Sequence, residues 1–468
     1  MASNNIFQTD WLASDPVFYN EITGTISHNI NEVIDFNNIE FHPEGLHNYL
    51  NFGYSVFEQT PLKNIKFLRH SSQVSFVDNK INVEYFNDIA EKIIGKETQE
   101  DDVLNLLEKK INNWSNTNEG EIVLPLSGGY DSRLLAFLVK DKERIRAFSY
   151  GISKNQENSL EVVKAKKIAE ILRIKWDFIP LGFYHKYFDE WDKLYGPSTH
   201  AHGMYHIEFY NNLKTKIKGG NPFLSGIIGD AWAGSLKFGD FNSYQSLISL
   251  AITHGMNADS SFCKLKYDNT ILKNYYNENT LKIQDKRFQV VESMRLKILL
   301  LNYLIKVPAH FGFKSWSPFL DSEIAIAMLN LPVEKRKDRL WQTDFFKKNN
   351  LYIEDLNLDF ALENTLNLQA INNISLQPLN NKLLRELFDE RYIESINNVL
   401  SSKTTYQKTI IKLLNVWGSR GLLYRLGYRK SSFDKPSQQI LKTYFAYLTL
   451  KPIENLLIKR NTFAKAKK

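Results

Sequence analysis

Residues 123–140 read VLPLSGGYDSRLLAFLVK, an apolar run that breaks at Ser-Gly-Gly and resumes with helical spacing. A strand, a glycine turn and a helix in that order suit an anion. Backbone N–H groups at a helix N-terminus point outward, and the helix dipole adds positive field. Gly128 and Gly129 let the backbone approach oxygens without a Cβ in the way. Ser127 and Ser132 add hydroxyl donors. Asp131 would repel a phosphate unless a cation lay between them, which points to Mg²⁺. The Gly-Lys-Ser/Thr ending of a Walker A loop is missing, and no G-x-G-x-x-G occurs.

A second group of chemistry-bearing residues is STHAHGMYHIEF, which sets His200, His202 and His206 within seven positions. On a helix, His202 and His206 would share a face at the spacing of a metal pair. Only Glu208 stands near them at ligand spacing, so zinc is disfavoured. His202 is a candidate general base.

Elements must bring these groups together. Strands are expected at 121–127, 145–151, 174–181 and 222–226. Helices are expected between them at 131–141, 159–172 and 200–216, after a helix over 103–115. Alternation of this kind argues for a parallel sheet with helices on both faces, which binds ligands at the carboxyl ends of its strands. The first ~90 residues carry short β-like pieces, and VDNKI at 77–81 reads as a hairpin turn. Past residue ~240 the pattern is helical to the end, with FDKP (433–436) and KP (451–452) as punctuation between helices. Three segments follow: a β-rich N-terminal region over 1–95, an α/β domain over 96–350 and a helical C-terminal extension over 351–468.

LSGGYDS resembles the SGGxDS pyrophosphate loop of adenylating PP-loop enzymes, most closely the synthetase domain of the asparagine synthetase-like family. AFSYGI (147–152), LSGIIGDAWAGS (224–235) and SPFLDSEIAIAMLNLP (317–332) resemble that family's adenine strand, its LSGEGGDELFGG segment and its PFLD segment, in order. GLHNYLNFGYSVFEQTPLKNIKFL (45–68) resembles the stretch that joins its two domains. The resemblance implies an adenine nucleotide alpha-hydrolase-like PP-loop fold. It implies ATP on Ser127, Gly128, Gly129, Tyr130, Ser132, Ser149, Tyr150, Gly151 and Gly226, with Mg²⁺ on Asp131 and Asp230. The chemistry implied is adenylation of a carboxylate and amide formation by ammonia or another amine.

Three positions depart from that pattern. The family's glutaminase uses an N-terminal cysteine, whereas residue 2 is Ala2, Cys263 is the only cysteine, and ~90 residues are too few for that domain. A separate ammonia source is therefore expected. Ile227 stands where the family has a catalytic glutamate, and Trp316 where an arginine precedes PFLD. The later lysine that meets pyrophosphate has no clear match, although EKRKDR (334–339) supplies cations.

With 59 basic and 52 acidic residues the net charge of +7 is mild for 468 residues, so nucleic acid is disfavoured as a partner. One cysteine excludes a disulfide framework and suits a reducing cytoplasm. The apolar stretch at 297–308 is too short to span a bilayer and reads as a buried helix. The Arg/Tyr-rich GLLYRLGYRK (421–430) could give weak association with an anionic membrane surface. The expected substrate is a small-molecule, sugar or peptide carboxylate. Alternatives are a catalytically silent nucleotide-binding partner protein, favoured by Ile227, and a PP-loop enzyme acting on tRNA.

Overall fold

The computed structural model describes residues 6–93, 97–251, 255–401 and 430–466. All but the last residue of the 421–430 stretch lies outside them. The fold is α/β. Five parallel strands form the central sheet: β1 (Ile122–Pro125), β2 (Ile145–Ser149), β3 (Lys175–Phe178), β4 (Pro222–Leu224) and β5 (Lys314–Trp316). Their spatial order is β5-β4-β1-β2-β3. The first four lie where alternation predicts them. β5 corrects the expectation of an all-helical second half; at three residues, KSW, it carries no period a sequence could reveal.

Helix α1 (Tyr130–Leu138) follows β1, α2 (Leu160–Leu172) joins β2 to β3, and α3 (Met204–Leu213) joins β3 to β4. Successive strand residues point to opposite faces. Ile122 and Leu124 of β1 pack with Leu134 and Ile168 of α1 and α2. Val123, between them, packs with Ile207 and Tyr210 of α3. Each such side chain is fully buried, stabilising the fold by about 1.5–3 kcal/mol apiece. Both faces are thus covered. The first three crossovers carry the chain from β1 to β2 and β3, then back past β1 to β4. Strand order reverses between β1 and β4, where Val123 pairs with Phe223, and open α/β sheets bind ligands in that crevice.

The apolar stretch at 297–308 is helical but broken. Helix α4 (Lys286–Leu301) ends at Asn302 and α5 (Tyr303–His310) begins beyond it. The buried Asn302 amide donates to the Ser14 carbonyl at 2.6 Å, tying the break to the N-terminal region.

Two three-stranded antiparallel sheets occupy the N-terminal region. In one, Ser72–Val77 and Lys80–Tyr85 form the expected hairpin. Asp78 and Asn79 have φ of 52° and 59°, the mirror-image turn that suits strand twist. Far along the chain, one helix spans Lys430–Ala466, so Pro436 and Pro452 lie inside it rather than between helices. An interior proline costs about 3 kcal/mol. Burial of Tyr444, Leu448, Ile453 and Leu457 around Pro452 offsets that cost. Among the described residues no helix is long and apolar enough to cross a membrane.

Candidate active site

The turn after β1 is built to stay open. Gly128 has φ +71°, and a Cβ there would meet Lys164 Cβ at 2.4 Å, so only glycine fits against α2. Gly129 has ordinary backbone angles, and its nearest neighbour to an added Cβ is Ser127 Oγ at 3.3 Å. Gly128 thus serves packing, and Gly129 leaves space on the cleft side. The Ser127 and Ser132 hydroxyls face each other at 3.4 Å.

Arg133, which reads in the sequence as an ordinary helix residue, fixes this turn from behind. Its guanidinium is fully buried and donates to the Gly128 carbonyl at 2.8 Å, to both Glu354 oxygens at 2.7 and 3.0 Å, and to the Leu351 carbonyl at 3.1 Å.

Asp131 opens α1 and Asp230 opens the short helix Gly229–Ala233 after β4. The second turn is tight. Ile228 sits at φ +56°, a conformation a β-branched residue seldom adopts, at a position where the resembled segment has glycine. A Cβ on Gly229 would approach Asp131 Cγ to 2.9 Å and the Phe319 ring to 2.7 Å. The missing side chain at 229 therefore lets the two turns close up. Asp131 Oδ1 is buried without a hydrogen-bond partner. Burial, then the Asp230 carboxylate, raises the Asp131 carboxyl to about 7, against the pull of Arg339. Two carboxylates that raise one another, one with an orphaned oxygen, fit a divalent cation held jointly with ligand oxygens.

Ser127, Gly129, Tyr130, Asp131, Ser132, Tyr150, His202, Gly226 and Asp230 line a single cleft of about 720 Å³. Gly128, Ser149 and Gly151 lie in its walls. The Ser149 hydroxyl donates to the Leu126 carbonyl and accepts from the Trp176 indole at 2.9 Å, so Ser149 meets the cleft through its backbone alone. Gly151 packs against the Gln156 carbonyl, which a Cβ would approach to 2.0 Å.

Two cations in the cleft carry no motif. Arg339 is the one member of EKRKDR that lines it. Asp338 and Arg339 have φ of 52° and 59°, and this left-handed pair turns the Arg339 guanidinium over the Tyr130 ring at 4.6 Å. Lys297, on α4, lines the opposite wall; burial lowers its pKa while the Asp230 carboxylate opposes that shift. Ile227 is buried at the cleft wall and offers no proton acceptor. Trp316 stacks on Trp114 with centroids 4.9 Å apart and does not line the cleft. Asp321 of PFLD caps helix Ser322–Leu329 and pairs with Lys110 at 2.6 Å, a structural role.

The histidines line the far end of the cleft. Burial holds His200, His202 and His206 at about 3, 4 and 3 respectively. They are neutral at physiological pH, and His202 is too weak a base to take an amine proton efficiently. His206 lies among Tyr205, Tyr303 and Tyr150, with ring centroids 4.4, 4.7 and 6.1 Å away. Among the described residues no three His, Cys, Asp or Glu side chains are grouped to hold a metal. A pair of carboxylates therefore depends on ligand oxygens to complete a coordination shell.

No protein-family model matches the chain, and no curated protein does. Solved structures that match include an NH3-dependent NAD synthetase from Campylobacter jejuni, at 14% identity and TM-score 0.25, over 44% of this chain and 96% of that one. A glutamine-dependent NAD+ synthetase from Acinetobacter baumannii, in complex with ADP, matches at 15% identity and TM-score 0.22, over 65% of this chain and 54% of that one.

Proposed function

We propose that the chain is an ATP-dependent ligase of the asparagine synthetase-like kind, which adenylates a substrate carboxylate and forms an amide. The observation that carries this is the convergence of the Ser127–Ser132 turn, Asp131 and Asp230 on one cleft at the point where strand order reverses. The turn's N–H groups and hydroxyls would take the triphosphate, and backbone at Ser149–Gly151 the adenine. Mg²⁺ held by Asp131 and Asp230 would neutralise phosphate charge.

In the first half-reaction a carboxylate oxygen attacks the α-phosphorus, the bond from that phosphorus to the bridging oxygen breaks, and pyrophosphate leaves. In the second an amine attacks the acyl carbon, loses a proton, and AMP leaves. This chain's contribution is positioning and charge neutralisation. Arg339 is suited to follow charge onto pyrophosphate, and Lys297 to face the reacting phosphate from the other wall. Cys263 is only half-buried, but burial raises its thiol pKa, and it stands outside the cleft. The nitrogen therefore comes from free ammonia, a partner glutaminase or an amine substrate.

Ile227 favours a second reading, a nucleotide-binding partner protein without turnover. Incubation with Mg-ATP and a panel of carboxylates separates the two. Pyrophosphate release with at least one acid supports the ligase; ATP binding with no release from any acid supports the silent protein.

A further inference from the structure

The charged side chains of the cleft are unevenly placed. Asp131, Asp230, Arg339 and Lys297 are the only carboxylates, guanidinium and ammonium that line it. They form one electrostatic group, since Asp131 is coupled to Asp230 and Arg339, and Lys297 to Asp230. The other end carries polar groups without charge. His200 and His206 are buried, and their imidazoles stay neutral. The phenols of Tyr205 and Tyr303 approach each other at 3.4 Å.

Two of these groups are unspent. His200 Nδ1 accepts the His202 backbone N–H at 3.1 Å, so its proton sits on Nε2, and that donor has no partner. His206 Nδ1 is also buried without a partner. An unmatched buried polar group costs about 1–3 kcal/mol, so each favours a ligand that pairs with it. The surrounding rings supply flat walls suited to a cyclic body. Between the ends, Lys297, Leu301 and Leu304 run along one wall, on α4 and α5, toward Tyr303. A carboxylate at the charged end thus leaves its own body among neutral donors and rings.

We propose that the acid substrate is a polyhydroxylated, ring-shaped monocarboxylate of the sugar-acid type, its only charge the reacting carboxylate, with hydroxyls paired to His200 and His206. This rests on the adenylating reading above. An amino-acid substrate would bury an ammonium and a second carboxylate where no countercharge stands, a cost of several kcal/mol. A ring acid without hydroxyls would leave the two imidazoles unmatched, and sites built to hydrogen-bond a hydroxyl reject such analogues strongly.

Calorimetry on the full chain tests this, with Mg²⁺ and a non-hydrolysable ATP analogue. The probes are D-glucuronate, D-galacturonate, D-gluconate, cyclohexanecarboxylate, L-aspartate and L-glutamate. A sugar acid should bind at least about tenfold more tightly than the other three. His206→Phe, or His206→Leu should that variant fail to fold, should weaken that binding at least about tenfold and leave nucleotide affinity unchanged. Tighter or equal binding of aspartate, glutamate or cyclohexanecarboxylate overturns the inference. So does nucleotide binding with no acid bound, which leaves the nucleotide assignment standing. Absence of nucleotide binding instead overturns the adenylating reading, and this inference with it.

Discussion

The two ends of the cleft treat charge in opposite ways. At the phosphate end the chain holds two carboxylates together and lines the facing walls with Arg339 and Lys297. At the histidine end it keeps every titratable group uncharged. A fold can keep like charges close only if something else balances them, so the first end needs ligand and cation to be at ease. The second end needs neither, and its burial instead selects what can enter. The contrast separates the group that reacts from the group that is recognised.

The sharpest way to break this contrast is to remove one carboxylate. Asp131→Asn or Asp230→Asn should lower pyrophosphate release by about 10³-fold or more, as loss of a major electrostatic group does. Circular dichroism should show the fold retained. Full activity in either variant would end the metal assignment. Next in size is the support behind the loop. Arg133→Ala leaves Glu354 and the Gly128 carbonyl without their partner and should destabilise the protein by about 3–5 kcal/mol, read by denaturant unfolding. Arg339→Met should lower kcat about 10–100-fold while leaving acid affinity unchanged, since it acts only at the charged end. Equal losses in acid binding would merge the two ends into one.

A subtler test concerns pH. Burial lowers His70 and His202 to about 4, and His200 and His206 to about 3. Unfolded, each titrates near 6.5. Below that value the unfolded chain binds protons the folded chain refuses, so stability falls as pH drops from about 6.5 toward 3–4. Tm should hold steady from pH 7 to 8 and drop by roughly 5–10 °C by pH 5.5. His206→Phe should flatten that slope by about a quarter of its size, one of the four histidines being removed. An acid-insensitive Tm would show that the far end is wet and charged.

Much of the phosphate end was legible in the sequence. Ser-Gly-Gly between an apolar run and a helical period marks a turn whatever surrounds it, and Asp131 and Asp230 each follow a strand the alternation predicts. What hid did so for physical reasons. Arg133 acts through Glu354, more than 200 positions away, and no local pattern reports a long-range ion pair. Arg339 differs from its neighbours in EKRKDR only by a left-handed backbone, which a basic run does not announce. Lys297 begins an apolar stretch and reads as a flank, because helix α4 is buried nearly all round and shows no amphipathic face. The helix through Pro452 formed against local preference because tertiary burial outweighed it. The spacing of His202 and His206 suggested a metal pair, but burial without carboxylates makes neutral hydrogen-bonding groups of them.

The central claim, that Asp131 and Asp230 hold a cation on a bound triphosphate, is tested most directly by titrating ATP into the protein calorimetrically, with and without Mg²⁺, in the wild type and in Asp131→Asn. Binding should be tight with Mg²⁺, weak without it, and lose its Mg²⁺ dependence in the variant. ATP affinity that ignores both Mg²⁺ and the substitution would contradict it.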